Sequence, residues 1–350
     1  MKFDYVFIFP SLKRNGGNRV LLSALKVISS REKNCKLLYI DSDENKFEVD
    51  ESIKCSSLKL NSNSSFLKIA YLFLLCVKAS FNSKKSIIFI SDPIISCFVF
   101  LFFRFKVIRF VQADDENIFE KNEKANFIFK KVYKILFRLS KKFSYSKIIF
   151  NSHFTKKKYL EGINSSGIDY SVIFPHIIKH FLSPSNELTK SFITVGSSQI
   201  RKGLDDFIYL SRIKCFEDYE FKIISQENLE LPEKISIINP KNDDEYLNAL
   251  KSSSFFVNTS KFEGFGLPPI EAMSLGLILI SYPNEAVKII LKDEEYFAYR
   301  SKEDLLNLKP KIDKIFEDIE IYKNLRNQSL RISSIYSYEN FKNGIIDAAL

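Results

Sequence analysis

Cysteine is scarce in this sequence of 350 residues. The five cysteines are odd in number, scattered along the chain and never spaced as C-x-x-C: Cys35, Cys55, Cys76, Cys97 and Cys215. This spacing argues against both a disulfide framework and a zinc site. A protein with such cysteines fits a reducing cytoplasm.

Long hydrophobic runs are also missing. The longest uncharged apolar stretch, residues 93–103, is about half of the ~20 residues that a bilayer span needs. The first ten residues are too few for a signal peptide, and Asp4 interrupts their apolar run. We therefore expect neither a signal peptide nor an integral membrane protein.

The length and the apolar pattern predict two domains. With 350 residues, 45% apolar and 27% charged, the chain can bury two cores and is globular. Apolar strand-like runs alternate with helical patterns, and the series restarts near residue 185. Strands are predicted at 4–9, 35–41, 86–91, 106–112 and 146–152, then at 191–197, 220–225, 235–240, 253–259 and 277–282. This alternation predicts an α/β fold with two doubly wound parallel sheets and a ligand cleft between them.

Positive charge is concentrated in the first half of the chain. Residues 1–180 contain 31 Lys+Arg against 16 Asp+Glu, a net charge of +15, whereas residues 181–350 contain 21 against 26, a net charge of −5. Basic and apolar residues interleave at helical spacing over 130–147, which predicts a basic amphipathic helix. Such a helix can lie on an anionic membrane, bind nucleic acid or simply be a solvated surface helix.

One stretch, KFEGFGLPPIEAMSLG at 261–276, places two carboxylates beside a glycine loop that leads into a helix. Loops of this kind attract phosphate, because glycine permits close approach and a helix N-terminus carries partial positive charge. We expect the helix to begin at Pro268 and stop at Gly276, with Glu263 in the loop and Glu271 in the first helical turn. Stabilisation of the helix dipole, worth about 0.3–1 kcal/mol, would account for Glu271 but not for the whole string.

The E-x7-E spacing in EGFGLPPIEAMSLG resembles the signature of glycosyltransferase family 4. Further segments are similar to that family in order and spacing: FPSLKRNGGNRVLLSAL, VQADDENIF, IIFNSHFTKKKYL, VIFPHI and VGSSQIRKGLDDFI. The resemblance covers about residues 3–340 and implies a GT-B fold, two Rossmann-like domains facing across a cleft. The implied parts are an acceptor-binding domain at 1–180, a nucleotide-sugar-binding domain at 181–335 and a helix at 336–350 that packs back on the first domain.

The resemblance also implies roles for residues. Glu271 would accept hydrogen bonds from a ribose diol, Glu263 would contact the transferred sugar, and Lys202 would bind phosphate and steady the leaving group. Serine replaces the family's usual arginine after Gly196, and Arg201 could supply that charge from nearby. The implied set is catalytic Lys202, Glu263 and Arg201, with donor-binding Gly16, Gly17, Gly196, Ser197, Gly264, Phe265, Gly266, Leu267 and Glu271.

In the first domain, Gln112, Asp114 and Arg19 are implied contacts of the sugar or the acceptor. We expect no metal and no other cofactor: the pair Asp41-x-Asp43 imitates a metal site, but the rest of a metal-dependent fold is missing. No nucleophile or catalytic dyad stands out, which agrees with a same-face mechanism in which the donor phosphate accepts the proton.

The predicted protein is therefore a metal-independent, retaining hexosyltransferase (EC 2.4) that uses a nucleotide-diphosphate sugar. Its implied acceptor is a glycan, lipid-linked, of bacterial O-antigen, capsule or lipopolysaccharide synthesis. We expect a cytoplasmic protein held at the inner face of the cell membrane through its basic half, with no nucleic acid partner. Two alternatives are a GT-B-type sugar phosphorylase and a non-catalytic protein that binds nucleic acid or glycan.

Overall fold

The computed structural model describes residues 3–41, 46–60, 62, 64–117, 119, 127–164, 166–178 and 187–350. The chain forms two compact units. Unit 1 comprises Met1–Pro175 and Glu339–Leu350, and unit 2 comprises His176–Tyr338.

Unit 1 is built on a parallel sheet. Its seven described strands are β1 (Tyr5–Phe9), β2 (Cys35–Asp41), β3 (Lys54–Lys59), β4 (Ile87–Ile90), β5 (Lys106–Val111), β6 (Lys147–Phe150) and β7 (Tyr170–Val172). They lie in the order β3-β2-β1-β4-β5-β6-β7, and every neighbouring pair is parallel. All five residues of β1 are buried, as expected where helices cover both sheet faces. The edge strand β3, KCSSLK, is polar and mostly accessible, so the apolar pattern did not predict it.

Among the described residues before unit 2, the α-helices are α1 (Gly16–Ser29), α2 (Ser65–Ser80), α3 (Pro93–Cys97), α4 (Phe127–Ser140) and α5 (His153–Leu160). The predicted basic helix over 130–147 is wrong in its C-terminal half. Helix α4 ends at Ser140, and the chain turns before β6 begins at Lys147. The Ser146 amide already donates to the Val107 carbonyl (2.9 Å), which directs the chain into the sheet.

Unit 2 contains the second parallel sheet. Its described strands are β8 (Ser191–Val195), β9 (Glu220–Ile224), β10 (Ile235–Ile238), β11 (Phe255–Asn258), β12 (Ile278–Ser281) and β13 (Phe297–Ala298), in the order β10-β9-β8-β11-β12-β13. Its helices are α6 (Leu204–Ser211), α7 (Asp243–Lys251), α8 (Leu267–Ser274), α9 (Glu285–Ile290), α10 (Lys302–Leu306), α11 (Lys309–Glu317) and α12 (Ile319–Ser333). Aromatic rings of Phe192, Phe207 and Phe255 anchor its core. The two parallel α/β sheets confirm the predicted fold class.

The last helix, α13 (Tyr338–Ala349), packs on unit 1. Its side chains Phe341 and Ile345 are buried, and the Tyr5 hydroxyl of β1 donates to the Ala349 carbonyl. Among the helices of the described ranges, none is both long enough and apolar enough to cross a membrane.

Candidate functional site

Two loops of unit 2 meet beyond the carboxyl ends of the neighbouring strands β8 and β11. The first loop, residues 196–203, follows β8, and the second, residues 259–266, follows β11. The Lys261 amide donates to the Arg201 carbonyl (2.8 Å), and the Thr259 hydroxyl donates to the Lys202 carbonyl (2.6 Å). Ligands of open α/β sheets collect at this edge, so the paired loops form a candidate site.

Glycine at position 203 makes this close approach possible. Gly203 has φ +60°, a left-handed conformation, and a Cβ atom there would lie 2.3 Å from the Thr259 carbonyl oxygen. Any side chain would therefore force the two loops apart. The RKG sequence, which alone predicts only surface charge, thus fixes the position of both preceding cations.

Those cations lie around one carboxylate. The Lys202 Nζ is 2.6 Å from Glu263 Oε1, and a guanidinium nitrogen of Arg201 is 3.8 Å from Glu263 Oε2. The side chains of Lys202 and Glu263 are each 17% exposed, and that of Arg201 is 40% exposed. Burial works to raise the pKa of Glu263, but the charges of Lys202 and Arg201, with hydrogen bonds from Lys202 and Ser260, hold it below its usual value. The cluster has one carboxylate for two cations, so it carries surplus positive charge.

Ser197, which stands where the similar family usually has an arginine, lies in the same loop. Gly196 is buried and Ser197 follows it at the loop start, where the Ser198 amide donates to Glu227 (2.7 Å). Arg201 is oriented by its Nε–H bond to the Gln199 side chain (2.8 Å). The structure therefore brings an arginine to the lysine and glutamate from the far end of the loop, four residues after Ser197.

Glu271 lies deeper and is held differently. Helix α8 begins at Leu267 and not at Pro268, so Glu271 is its fifth residue. The predicted place of Glu271 in the first turn is wrong, and stabilisation of the helix dipole does not explain it. Its side chain is 2% exposed and accepts from the Tyr246 hydroxyl of α7 at 2.8 Å. The contact of Tyr246 with Glu271 was not predicted, because the sequence around Tyr246 contains no pattern that indicates it.

Between the two glutamates, the backbone of residues 264–267 turns into α8. Gly266 (φ +86°) forms the N-terminal cap in a left-handed conformation, as the glycine of a tight turn does. The buried ring of Phe265 packs edge-on against Tyr336, with centroids 5.4 Å apart. The segment is thus anchored by its side chains while its amides lie at a helix N-terminus, where anions bind.

Unit 1 has its own cluster at the carboxyl ends of β4 and β5. The Gln112 amide group donates to the Ser91 hydroxyl (2.9 Å) and to the Gly17 carbonyl (3.3 Å), and the Asn151 amide group donates to the Gln112 carbonyl (2.8 Å). Gly16 and Gly17 are the first two residues of α1. Gln112 and the glycine pair are therefore brought together, as neighbouring strand ends permit.

Asp114 and Arg19 occupy the same region of unit 1. Asp114 is buried and accepts from the Asn117 amide group at 3.1 and 3.0 Å, and it forms no hydrogen bond with Gln112. Arg19 lies in the first turn of α1, where its backbone amide donates to the Asn15 carbonyl (3.1 Å).

Among the described residues, no set of three or more His, Cys, Asp or Glu side chains is arranged so that it could hold a metal ion. The sequence pair Asp41-x-Asp43 resembles part of a metal site. Asp41 is paired with Lys46 (2.8 Å), and Asp43 lies outside the described residues.

Solved structures with the same fold are glycosyltransferases of the GT-B class. Sucrose-phosphate synthase from Thermosynechococcus elongatus superposes with a TM-score of 0.76 at 13% identity, covering 98% of this chain and 97% of that chain. Anabaena HepE, solved in complex with UDP and glucose, gives a TM-score of 0.71 at 14% identity and covers 99% and 98%. The GT-B fold predicted for this chain is confirmed.

Sequence comparison matches one family model over part of the chain. Residues 179–331 match the family model described as glycosyl transferases group 1. An uncharacterized glycosyltransferase from Methanocaldococcus jannaschii is 27% identical over 210 residues, 57% of this chain and 58% of that protein. Another, from Haemophilus influenzae, is 24% identical over 176 residues, 45% and 49%. The chain thus matches about half the length of these relatives.

Proposed function

We propose that unit 2 binds a nucleotide-diphosphate sugar and that the protein transfers this sugar to a hydroxyl group. The observation that carries the proposal is the contact of Lys202 and Arg201 with Glu263 in loops that meet at the edge of the sheet. Without ligand, the carboxylate compensates one of the two cations. A diphosphate would take over Lys202 and Arg201, and Glu263 could then accept hydrogen bonds from sugar hydroxyls, each charge-assisted bond being worth roughly 1.5–3 kcal/mol.

The second carboxylate suits the nucleoside end of the donor. A carboxylate is an acceptor with about four lone-pair sites, so Glu271 can accept a ribose diol in addition to the Tyr246 hydroxyl. The backbone amides of residues 264–267 and the N-terminus of α8 lie between the two glutamates and would meet the diphosphate. This order, diol, diphosphate, sugar, matches the order of the parts in a nucleotide sugar.

The proposed mechanism uses the donor's own phosphate as the base. The bond from the anomeric carbon to the phosphate oxygen breaks, the acceptor oxygen bonds to the same face of that carbon, and the acceptor proton passes to the phosphate. Lys202 and Arg201 stabilise the negative charge that develops on the departing nucleoside diphosphate. These cations support transfer without a metal ion, and retention of configuration is what the family resemblance implies.

For the acceptor, we propose a lipid-linked glycan of bacterial surface polysaccharide synthesis, O-antigen, capsule or lipopolysaccharide. The net charge of +15 over residues 1–180 supports a site of action at an anionic membrane surface on the cytoplasmic side. The polar cluster of Gln112, with Asp114 and Arg19 in the same region of unit 1, would bind acceptor or sugar hydroxyls. The similarity to an uncharacterized glycosyltransferase and to HepE, solved in complex with UDP and glucose, supports the donor class.

A thermal-shift screen of UDP, GDP, ADP and dTDP sugars, with and without EDTA, tests the proposal. A donor at 100 times its Kd should stabilise the protein by about 2.7 kcal/mol, and EDTA should leave the shift unchanged. Free sugars and nucleosides serve as controls. The absence of a shift with every nucleotide sugar would overturn the proposal, and phosphorolysis of a glycan without nucleotide would favour a phosphorylase.

A further inference from the structure

The helices on one side of the unit 1 sheet expose large apolar side chains to solvent. The outer apolar surface, as we call it, consists of the exposed apolar side chains of α2, of residues 99–103 and of α4. Phe66 is 78% exposed, Phe103 76% and Leu139 56%. Apolar residues scattered singly need no explanation, but a contiguous patch marks an interaction site.

Helix α4 has two apolar faces. Tyr133 and Phe137 point into the unit 1 core. Val132, Ile135 and Leu139 recur at three- and four-residue spacing on another side of the helix and are exposed. An ordinary surface helix has one apolar stripe and a polar opposite face, so the second stripe is surplus to folding.

Helix α2 repeats this feature beside it. Its inner side chains, such as Leu72 and Leu75, are buried, yet Phe73 and Leu74 on the outer side are exposed. Helix α3 contacts both α2 and α4, and the Phe73 ring meets Phe98 at 5.4 Å between centroids. The apolar outer sides of α2 and α4 therefore belong to one surface.

The charged side chains on α2 and α4 themselves are all basic. Neither helix contains an acidic residue, and Lys131, Lys134 and Arg138 lie along one edge of the exposed α4 stripe, where Arg138 is paired with Glu116 of the neighbouring segment (2.7 Å). A second copy docking through the same patch would set this basic edge against itself. An anionic lipid surface supplies both the apolar medium and the opposite charge.

We propose that the outer apolar surface inserts into the boundary between headgroups and acyl chains of an anionic bilayer. Helices α2 and α4 lie along the membrane, their Phe, Leu, Ile and Val side chains enter it, and the basic edge of α4 meets the headgroups. The inference deepens the proposed function by naming how the enzyme reaches a lipid-linked acceptor. The binding itself requires neither donor nor acceptor.

Vesicle flotation tests this surface. The full chain is floated with phosphatidylcholine vesicles, with and without phosphatidylglycerol, as wild type and as the double variant Ile135→Ser/Leu139→Ser. The matched control is Ile319→Ser/Ile321→Ser, which removes two exposed isoleucines of α12 in unit 2. We expect the α4 variant to bind at least about tenfold more weakly and the control to bind like wild type.

High salt and a charge-removing variant distinguish membrane insertion of apolar side chains from purely electrostatic attraction to the vesicle. At about 1 M salt the Debye length is ~3 Å, so wild-type binding should weaken but persist, since apolar burial is not screened. Lys131→Gln should reduce the preference for phosphatidylglycerol without abolishing binding.

Unchanged flotation of the α4 double variant would overturn the inference. So would absence of wild-type binding together with a concentration-dependent dimer that the same variant abolishes, which would make the surface a contact between two copies. The donor screen remains independent. Stabilisation by a nucleotide sugar without vesicle binding would leave the proposed function standing and refute only the insertion, whereas vesicle binding without donor stabilisation would do the reverse.

Discussion

Each unit contains a cluster of charged side chains, and the two clusters have opposite proportions. In unit 1, the fully buried Arg109 of β5 contacts Asp115 and is near Asp92, so one cation serves two carboxylates. In unit 2, Lys202 and Arg201 serve the single carboxylate of Glu263. Arg109 and Asp115 of the first cluster are buried, whereas the side chains of the second cluster lie in loops and are partly exposed to solvent.

The two clusters shift the pKa values of their carboxyl groups in opposite directions. Burial, with the charges of Asp92 and Asp114, raises the pKa of Asp115 to about 7 against the opposing effect of Arg109, and burial also raises the pKa of Asp92. The two cations of unit 2 instead lower the pKa of Glu263. A cluster short of cations favours the protonated carboxyl group, whereas the surplus cation of the second cluster is what the proposed diphosphate binding would use.

The largest effect is expected when the charged cluster around Arg109 in unit 1 is broken. Arg109→Met removes the cation and leaves two buried carboxylates, so unit 1 should lose about 3–5 kcal/mol of stability above pH 7. Because the chain contains no tryptophan, a single Trp in place of Phe105 reports denaturant unfolding of unit 1, and one in place of Phe316 reports unit 2.

The control for this loss is Arg104→Met, the same substitution at an exposed arginine of unit 1. Its effect should stay within about 0.5 kcal/mol. Equal unfolding midpoints for Arg109→Met and Arg104→Met would show that the buried cluster does not support the fold.

The next effect concerns what holds the unit 2 cluster in place. Gly203→Ala should destabilise unit 2 by about 1–3 kcal/mol through its left-handed conformation, with a further cost because the Thr259 carbonyl must move. Donor binding should weaken as Lys202 shifts. Gly162→Ala is a matched control, since Gly162 also has positive φ (+75°) but no atom within 4 Å of an added Cβ. Similar losses in both variants would mean that the loop contact at Gly203 is unimportant.

Removing the cation that the mechanism uses should affect activity more than folding. Lys202→Ala deletes one charge-assisted bond of about 1.5–3 kcal/mol, so kcat/KM should fall by roughly 10- to 150-fold. Lys214→Ala, at an exposed lysine of the same unit, should leave the kinetics unchanged. Wild-type kinetics in the Lys202 variant would remove this lysine from the mechanism.

Sequence reasoning predicted the parts of the fold that depend on apolar runs. It missed β3 at the sheet edge, the three-residue β7 and the two-residue β13, which lack such runs. It also extended the basic helix past Ser140, because the pattern of basic and apolar residues continues there although the chain must turn into β6.

The site was less accessible to sequence reasoning. Lys202 and Glu263 are 61 residues apart, and their contact depends on β8 lying next to β11, so only the family resemblance placed them together. No pattern indicated that Tyr246 donates to Glu271. Arg109 stands in an apolar strand sequence, which predicted the strand but not a buried cation with a partner six residues away.

The smallest effect sharpens the comparison through pH. The pKa of Asp115 is raised to about 7, so folded unit 1 binds an extra proton between about pH 4 and 7. Its unfolding free energy should therefore fall as pH rises through this window, by at most about 1.4 kcal/mol per pH unit from this group. Asp115→Asn should flatten that slope as reported by the Trp at position 105.

Glu263 should act with the opposite sign. Because its pKa is lowered in the folded protein, its stabilising contribution is present above the unfolded pKa, about 4.3, and disappears as pH falls through the folded value. Between pH 5 and 7 the variant Glu263→Gln should therefore leave the pH slope of unit 2 unchanged, and the difference from wild type should shrink only in more acidic solution. If Glu263→Gln instead altered the slope near pH 6, the carboxylate would titrate in that range and would not be held ionised by Lys202 and Arg201.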